Sequence, residues 1–431
     1  MDKQTFVKIF NFMLAIYPIL DVYASGITGL SIGQLALIIV LLFYVVLYHK
    51  HINISILPLI YVGYMILRHA FLLFAPYNDL GLSIYNLFSQ LLAWFLLLVG
   101  FNLFNLTYFK KYLFKITVVI VVMAIVQFIL MEMGIKLLFI IPNIPLSINA
   151  DYEYLRVWLI RAEACFTEPA HLAQFLAVPL ILILCSKNEI SSQKKSDIKS
   201  SRIKTIMLTI GILIAMLITF SGNAVIILLC VLIAFLIDRM LFRKKYISSI
   251  VLIISMVISV VILYNTVPQL QVLFGRVSEI TEQKGSGYIR IFHGFDVYSQ
   301  FPLINKLFGI GYGNIRAFAQ YHNNIIFSKL SSSHPLFEYL NGIQYVLLGG
   351  GIFGLVLYLA ILFGCINKRN SLGLYVIITF IVISFVSAFV AGGLWLTFMM
   401  LLFSAKSNKT PAKKRVSLDA SVRCNKKSAT I

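Results

Sequence analysis

Apolar runs of about 20 residues recur along the whole chain, and a helix of that length crosses a hydrocarbon core of roughly 30 Å. Of the 431 residues, 60% are hydrophobic and 12% are charged, whereas soluble domains have about 45–50% and about 25%. We therefore predict an all-α polytopic membrane protein. The predicted spans, about twelve in number, are residues 6–21, 27–48, 53–75, 83–104, 114–134, 169–186, 204–220, 223–241, 246–266, 343–365, 371–389 and 392–405.

The lysines and arginines predict the orientation of these spans, because positively charged loops remain on the cytoplasmic side. Most of them fall in alternate loops and in the tail. Both termini are therefore predicted to be cytoplasmic, with two long extracytoplasmic loops at about 135–168 and 267–342. The formal charge of +20 then reflects topology, and we expect no nucleic-acid partner.

The domain organisation follows from the same pattern. Residues 1–404 form the predicted membrane domain. Residues 405–431 are basic, Ser-rich and nearly without aromatics, so they cannot bury enough surface to order themselves. We predict a disordered cytoplasmic tail for this segment.

The two long loops carry an unusual share of arginine, although outward positive charge opposes the insertion rule. Guanidinium groups bind phosphate oxygens in a bidentate, planar manner, which a lysine does not. These arginines predict an anion-binding site, with salt bridges to neighbouring carboxylates as the alternative. They are Arg156, Arg161, Arg276, Arg290 and Arg316.

The stretch "RAEACFTEPAHLAQF" enters the sixth span. Glu168 followed by Pro169 predicts a helix start, because proline suits the first turn and a carboxylate there faces the positive helix end. His171 and Gln174 are one turn apart and share a face of the span. Polar residues at that depth usually face the bundle interior.

The second loop offers further candidates. In "GYIRIFHGFD", Arg290 and His293 are spaced by one helical turn, and Asp296 follows a turn later. "FGIGYGN" has no preceding strand and no following Lys-Ser/Thr, so it predicts a turn and not a nucleotide site. His334 and Glu338 are four residues apart before the tenth span, and histidine exchanges protons near neutral pH.

These segments together resemble the O-antigen polymerase (Wzy) family and its O-antigen ligase relatives. The resemblance rests on "RAEACFTEPAHLAQFL", on "FSGN", on "HGFDVYSQFPLINKLFGIGYGN" after an arginine, and on "SSHPLFEYLNGIQYVLLGGGIFG". It covers about residues 155–365, and the Glu-Pro element is more similar to the polymerases than to the ligases. "EPA" stands here where the family more commonly has "EPS".

The resemblance implies an extracytoplasmic glycosyltransferase in the bacterial inner membrane. It would transfer a growing glycan from undecaprenyl pyrophosphate to a lipid-linked repeat unit, with a flippase and a chain-length regulator as partners. The matching catalytic positions are Arg161, Arg290, His334 and Glu168. Substrate contacts are expected from Arg156, Arg276, Arg316, His171 and Glu338.

Three alternatives remain open at this stage. A ligase that moves finished polymer to lipid A core needs the same donor chemistry. A lipid-linked oligosaccharide flippase would place charges inside several spans, where Arg68 and His69 are the clearest examples. A metal-dependent glycosyltransferase would use Asp21, Asp79 or the Asp151–Glu153 pair. We expect no metal and no cofactor.

Overall fold

The structure, a computed structural model, describes a helical protein. The described residues are 2–27, 30–49, 52–135, 137, 139–141, 143–146, 160–186, 195–242, 244–266, 288–322, 340–365, 370–387 and 389–407. The helices in them are α1 Lys3–Leu20, α2 Ile32–Tyr48, α3 Ile56–Leu72, α4 Leu80–Gly100, α5 Leu106–Glu132, α6 Pro169–Ser186, α7 Lys195–Leu217, α8 Gly222–Ile237, α9 Tyr246–Thr266, α10 Gly294–Ser299, α11 Leu303–Phe308, α12 Ile315–Tyr321, α13 Gly342–Gly364, α14 Ser371–Val386 and α15 Gly393–Ser407.

The all-α prediction is confirmed, since the described residues contain helices and no strand beyond isolated bridges. Each predicted span overlaps one helix. By length and composition, four helical segments in the described part are suited to crossing a membrane: Leu80–Gly100, Leu106–Glu132, Gly222–Leu241 and Gly342–Gly364. Five further apolar helices are shorter. The structure therefore supports a membrane protein, and the count of twelve spans stays a prediction.

Helix α6 lies at the centre of the bundle. It contacts α5, α7, α8, α14 and α15, and every side chain from Leu172 to Ile183 is buried. Lipid tails are as apolar as leucine, so close packing and interhelical hydrogen bonds hold such helices together. The residues directly before α6 are consequently held by several helices at once.

Polar side chains define where several helices begin. Ser31 with Gln34, and Asn341 with Gln344, form reciprocal capping boxes at the starts of α2 and α13. Asp79 and Asn370 accept hydrogen bonds from the first turns of α4 and α14. These contacts satisfy main-chain N–H groups that have no partner within the helix.

The glycine-rich turn "FGIGYGN" packs against the side of α13, which confirms a turn. The main-chain nitrogens of Ile310 and Gly311 donate to the oxygens of Leu348 and Gly349, each over 2.9 Å. Gly309 and Gly351 have positive φ angles and lie back to back. A side chain at either position would collide with the other segment, so the close approach depends on both glycines.

Helix α3 secures the same turn. The Arg68 guanidinium donates to the main-chain oxygen of Gly309 and also bonds the Tyr77 side chain. The Tyr64 hydroxyl donates to the oxygens of Phe308 and Gly350. Arg68 thus has structural partners within the bundle, which accounts for a charge placed along an apolar helix.

The predicted domain boundary falls within α15, which continues to Ser407. Residues 408–431 of the predicted tail lie outside the described residues.

Candidate functional site

One end of the bundle gathers polar residues from several helices, and we call it the site end. It is formed where α1 ends and where α6, α13 and α15 begin. Asp21 follows α1 and accepts a hydrogen bond of 2.8 Å from the main-chain nitrogen of Gly393, at the start of α15. Asn341 caps α13, and Glu168 directly precedes α6.

Glu168 and His171 lie on the first turn of the central helix. Helix α6 begins at Pro169, as the sequence predicted, and the Glu168 carbonyl accepts the N–H groups of His171 and Leu172. The His171 Nδ1 atom is 3.1 Å from the Thr167 hydroxyl. No hydrogen bond among the described residues uses the Glu168 carboxylate.

Arg290 lies in a single π-helical turn, Ile289–His293. Its main-chain oxygen accepts a hydrogen bond of 2.8 Å from Asn341 Nδ2. The side chain is half-buried, and no hydrogen bond among the described residues uses its guanidinium. Single π-helical turns are frequent at functional sites. The main chain of Arg290 is therefore fixed by Asn341, and its guanidinium is partly exposed.

His171 connects these residues electrostatically. Its imidazole interacts with the charges of Glu168, Asp21 and Arg290. These four residues, which we call the charged cluster, come from three segments that are far apart in sequence. The structure thus brings together Glu168, His171 and Arg290 of the predicted site and adds Asp21.

Asp21 also has hydrogen-bond partners outside the charged cluster. It accepts hydrogen bonds from the Gly393 main chain and from the Ser31 side chain, so its carboxylate ties the end of α1 to the starts of α2 and α15. The sequence had offered Asp21 and Asp79 as alternative metal ligands. Among the described residues, no three His, Cys, Asp or Glu side chains are grouped so as to hold a metal ion.

Arg161 lies at the site end, but its described contact joins it to another part of the bundle. Its Nε atom donates over 3.1 Å to the main-chain oxygen of Thr219, between α7 and α8. The following residues are also fixed, because Glu163 and Ala164 both donate their main-chain N–H groups to Gln127 Oε1.

His293 faces inward at the end of the π-helical turn. Its side chain is buried, and burial lowers the pKa of its imidazole, while the charge of Asp296 partly offsets that shift. Tyr288 donates to Asp296 Oδ2 over 3.0 Å, which raises the pKa of the tyrosine. The sequence predicts α-helical spacing between Arg290 and His293, whereas the structure has the wider π-helical turn there.

The remaining predicted residues have no described side chain. Arg316 lies on α12, where its main chain alone is described. Arg156, Arg276, His334 and Glu338 lie outside the described residues, as do Asp151 and Glu153.

Sequence reasoning missed several polar residues that shape the site end: Thr167, Asn341, Gln344 and Ser387. The pattern Asn-x-x-Gln before an apolar run is a capping signal, and it could have located the start of α13. Nothing in the sequence indicates that the same amides contact the Arg290 turn about fifty residues earlier. Such contacts are visible in the folded chain alone.

The charged cluster combines a guanidinium with two carboxylates and an imidazole at one end of an apolar helical bundle. A guanidinium there can bind a phosphate oxygen, and a carboxylate or imidazole can accept a proton from a hydroxyl group. This arrangement suits transfer of a group to an alcohol, with an anion as the leaving group.

No protein-family model matches the chain, and no curated protein sequence matches it.

Proposed function

We propose that this protein is a surface-polysaccharide polymerase of the O-antigen polymerase type. It transfers a growing glycan from undecaprenyl pyrophosphate to a lipid-linked repeat unit on the outer side of the inner membrane. The observation that carries the proposal is the charged cluster, in which Glu168, directly before α6, and His171, within its first turn, share an electrostatic environment with Arg290. The motifs that resemble this family supply two of its segments.

The donor chemistry explains the need for a guanidinium. Nucleotide sugars are confined to the cytoplasm, so an outward glycosyl transfer draws on a lipid-linked glycosyl pyrophosphate. Negative charge grows on the pyrophosphate as the bond to the anomeric carbon breaks. A fixed cation such as Arg290 stabilises that charge more in the transition state than in the ground state, as catalysis requires.

The acceptor chemistry explains the carboxylate and the imidazole. The acceptor hydroxyl oxygen forms a bond to the anomeric carbon, its proton passes to a base, and the bond to the pyrophosphate oxygen breaks. Glu168 is our candidate base, because no described hydrogen bond uses its carboxylate. His171 lies on the same turn and orients the hydroxyl. His334 and Glu338 remain candidates for the proton from outside the described residues.

The proposal includes a topology. With about twelve spans and both termini cytoplasmic, the site end faces outward, where Arg290, Glu168 and Asp21 meet the lipid-linked substrate. Arg156, Arg161, Arg276 and Arg316 would add cationic groups around the pyrophosphate. A chain-length regulator and a flippase would be partners in the same pathway.

The structural partners of Arg68 favour an enzyme over a flippase. A flippase would use intramembrane charges to contact its cargo, whereas Arg68 bonds the Gly309 main chain and the Tyr77 side chain. Its neighbour His69 stacks on Tyr312 of the glycine-rich turn, with ring centroids 5.8 Å apart. These contacts give both residues a role in packing the glycine-rich turn.

The test is polymerisation with purified components. Full-length protein in lipid nanodiscs is incubated with synthetic undecaprenyl-pyrophosphate repeat units, without nucleotide and with a metal chelator, and products are separated on a gel. We expect a ladder from the wild type. Arg290→Ala should lower kcat by about 10²–10³, the usual cost of losing one preorganised electrostatic contact. Glu168→Gln should lower kcat by about 10²–10⁴.

Arg202→Ala is the matched control, because Arg202 is exposed on α7, far along that helix from its site-end terminus. It should keep the full ladder. A folded wild-type protein that makes no ladder from native repeat units would contradict the proposal. Transfer of finished polymer to lipid A core, without a ladder, would identify a ligase instead.

A further inference from the structure

Two buried amide side chains at the start of α13 hold the turn that carries Arg290. Asn341 Nδ2 donates to the main-chain oxygen of Arg290, and Gln344 Nε2 donates to the main-chain oxygen of Ile291, each over 2.8 Å. Asn341 is 1% exposed and Gln344 is 0% exposed. Both donor side chains are therefore buried, while the Arg290 and Ile291 side of each contact is partly exposed.

Each amide also acts within α13 through its oxygen. Asn341 Oδ1 accepts the main-chain N–H of Gln344 over 2.9 Å, and Gln344 Oε1 accepts the main-chain N–H of Asn341 over 3.2 Å. The oxygens thus form the capping box, and the nitrogens are directed to the Arg290 turn. In each side chain, the oxygen caps the helix and the nitrogen contacts the turn, so a substitution can change one contact and keep the other.

The main chain after the turn lies directly against Gln344. A Cβ atom added at Gly294 would be 2.6 Å from Gln344 Cδ and 2.8 Å from its Cβ. The π-helical turn also contacts α14. Helix α13 is joined to α14 as well, because the main-chain oxygen of Ser387, at the end of α14, accepts the Gly342 N–H over 2.8 Å. The position of Arg290 is therefore defined relative to α13 and α14 together.

We infer that Asn341 and Gln344 are positioning residues, which set the Arg290 guanidinium against the leaving pyrophosphate through its main chain. The inference rests on the proposed function for its catalytic consequence. A displacement of about 1 Å in a catalytic group can cost on the order of 10²-fold in rate. Loss of either amide donor is expected to lower kcat while KM for the lipid-linked donor changes less.

The variants that test this keep the capping box and remove the donor. Asn341→Asp and Gln344→Glu retain the accepting oxygen, and acidic residues are favourable at a helix start. Asn341→Ser retains a good N-cap without adding charge. Testing it beside Asn341→Asp separates the loss of the donor from the effect of a new carboxylate near Arg290.

Asn370→Asp is the matched control at the far end of α14. Asn370 also caps a helix with its oxygen, through Leu372 N at 3.0 Å, and donates with its nitrogen to the oxygen of Ala405 at 3.0 Å. The same atoms are changed there, but no contact with the Arg290 turn is lost. It reports the general effect of losing one helix-capping amide donor in a partly buried contact.

Two measurements decide the inference. Steady-state polymerisation should show kcat lowered at least about tenfold in Asn341→Asp, Asn341→Ser and Gln344→Glu, and unchanged in Asn370→Asp. Hydrogen exchange of the peptide covering 288–299 should become faster in the same three variants and remain as in the wild type in the control. Normal kcat in Asn341→Ser, or an effect equal to that of Asn370→Asp, would overturn the inference.

The two proposals fail in distinguishable ways. A wild type without a ladder contradicts the polymerase, whatever the variants do. Hydrogen exchange does not depend on polymerisation, so unchanged exchange at 288–299 in the Asn341 variants contradicts the positioning role even then. A wild-type ladder together with normal kcat in the variants would support the polymerase and contradict the positioning role of Asn341 and Gln344.

Discussion

The Nε2 atom of Gln174 donates a hydrogen bond of 2.9 Å to the Oγ atom of Ser387, which joins central helix α6 to the end of α14. Gln174 lies three residues after His171, and its side chain is buried. The Ser387 main-chain oxygen accepts the Gly342 N–H at the start of α13. A continuous set of hydrogen bonds therefore links the helix of Glu168 and His171 to the helix that contacts the Arg290 turn.

The Gln174–Ser387 bond should contribute to stability as a coupled pair. Ser387→Ala leaves a buried amide donor without its acceptor, and we expect a cost of about 1–2 kcal/mol. Replacing both residues, as in Gln174→Leu with Ser387→Ala, should cost less than the sum of the single changes. Thermal melts of the four proteins in one detergent measure this coupling. Strictly additive losses would show that the bond contributes nothing.

The back-to-back glycines of the glycine-rich turn give a second prediction. Gly351 has a φ of 65°, and a Cβ there would collide with the main chain of Leu307 and Gly309. Gly351→Ala should therefore destabilise the protein strongly and reduce the yield of folded material, because both conformation and space oppose it.

Gly63 supplies the matched control for this change. It lies within α3, and a Cβ added there has nothing within 4 Å. Alanine is favoured over glycine in a helix by about 0.5–1 kcal/mol, so Gly63→Ala should keep or raise the melting temperature. Equal melting temperatures for the two variants would show that the turn does not approach α13 as closely as the structure has it.

The extent to which sequence predicted this fold follows from the range of each interaction. Span positions depend on the length of apolar runs, and the start of α6 depends on Pro169 in its first turn, so both can be predicted from the sequence. The π-helical turn at Arg290 cannot be predicted in this way, because an α-helical spacing of Arg290 and His293 is equally consistent with the sequence. The wider turn is accompanied by amide contacts from residues about fifty positions away.

The candidate site, like the fold, could be predicted only where local sequence determines it. Glu168, His171 and Arg290 could be named from local motifs and a family resemblance, because their residue types suit the chemistry. Asp21 could not be assigned to the same cluster, since almost 150 residues separate it from Glu168. Its membership depends on how α1 packs beside α15, and packing between distant helices leaves no simple pattern in the sequence.

His293 should make the folded protein sensitive to acid. Burial lowers the pKa of its imidazole in the folded state, while an exposed histidine in the unfolded chain has a pKa of about 6.5. The unfolded state therefore binds the proton more readily, and stability falls as pH drops through and below about 6.5. Melting temperatures measured at about pH 8 and about pH 5 should fall less in His293→Gln than in the wild type. An identical fall in both would contradict a buried neutral His293.

The final prediction concerns the charge of Asp21. Asn at this position keeps an oxygen that accepts the Gly393 N–H but removes a negative charge that acts on His171. The cluster then has one carboxylate, Glu168, beside the Arg290 guanidinium. We expect Asp21→Asn to melt close to the wild type and to lose about tenfold or more in kcat, because preorganised charge is a large term in catalysis.

Asp79→Asn makes the same chemical change at an exposed helix cap. Asp79 Oδ1 accepts the Leu82 N–H over 3.1 Å at the start of α4, and an asparagine oxygen can accept it equally well. This variant should keep both its melting temperature and its kcat. If Asp21→Asn and Asp79→Asn polymerise at the same rate, the Asp21 carboxylate serves the packing of α1, α2 and α15, and the charge that acts in catalysis comes from Glu168 and Arg290.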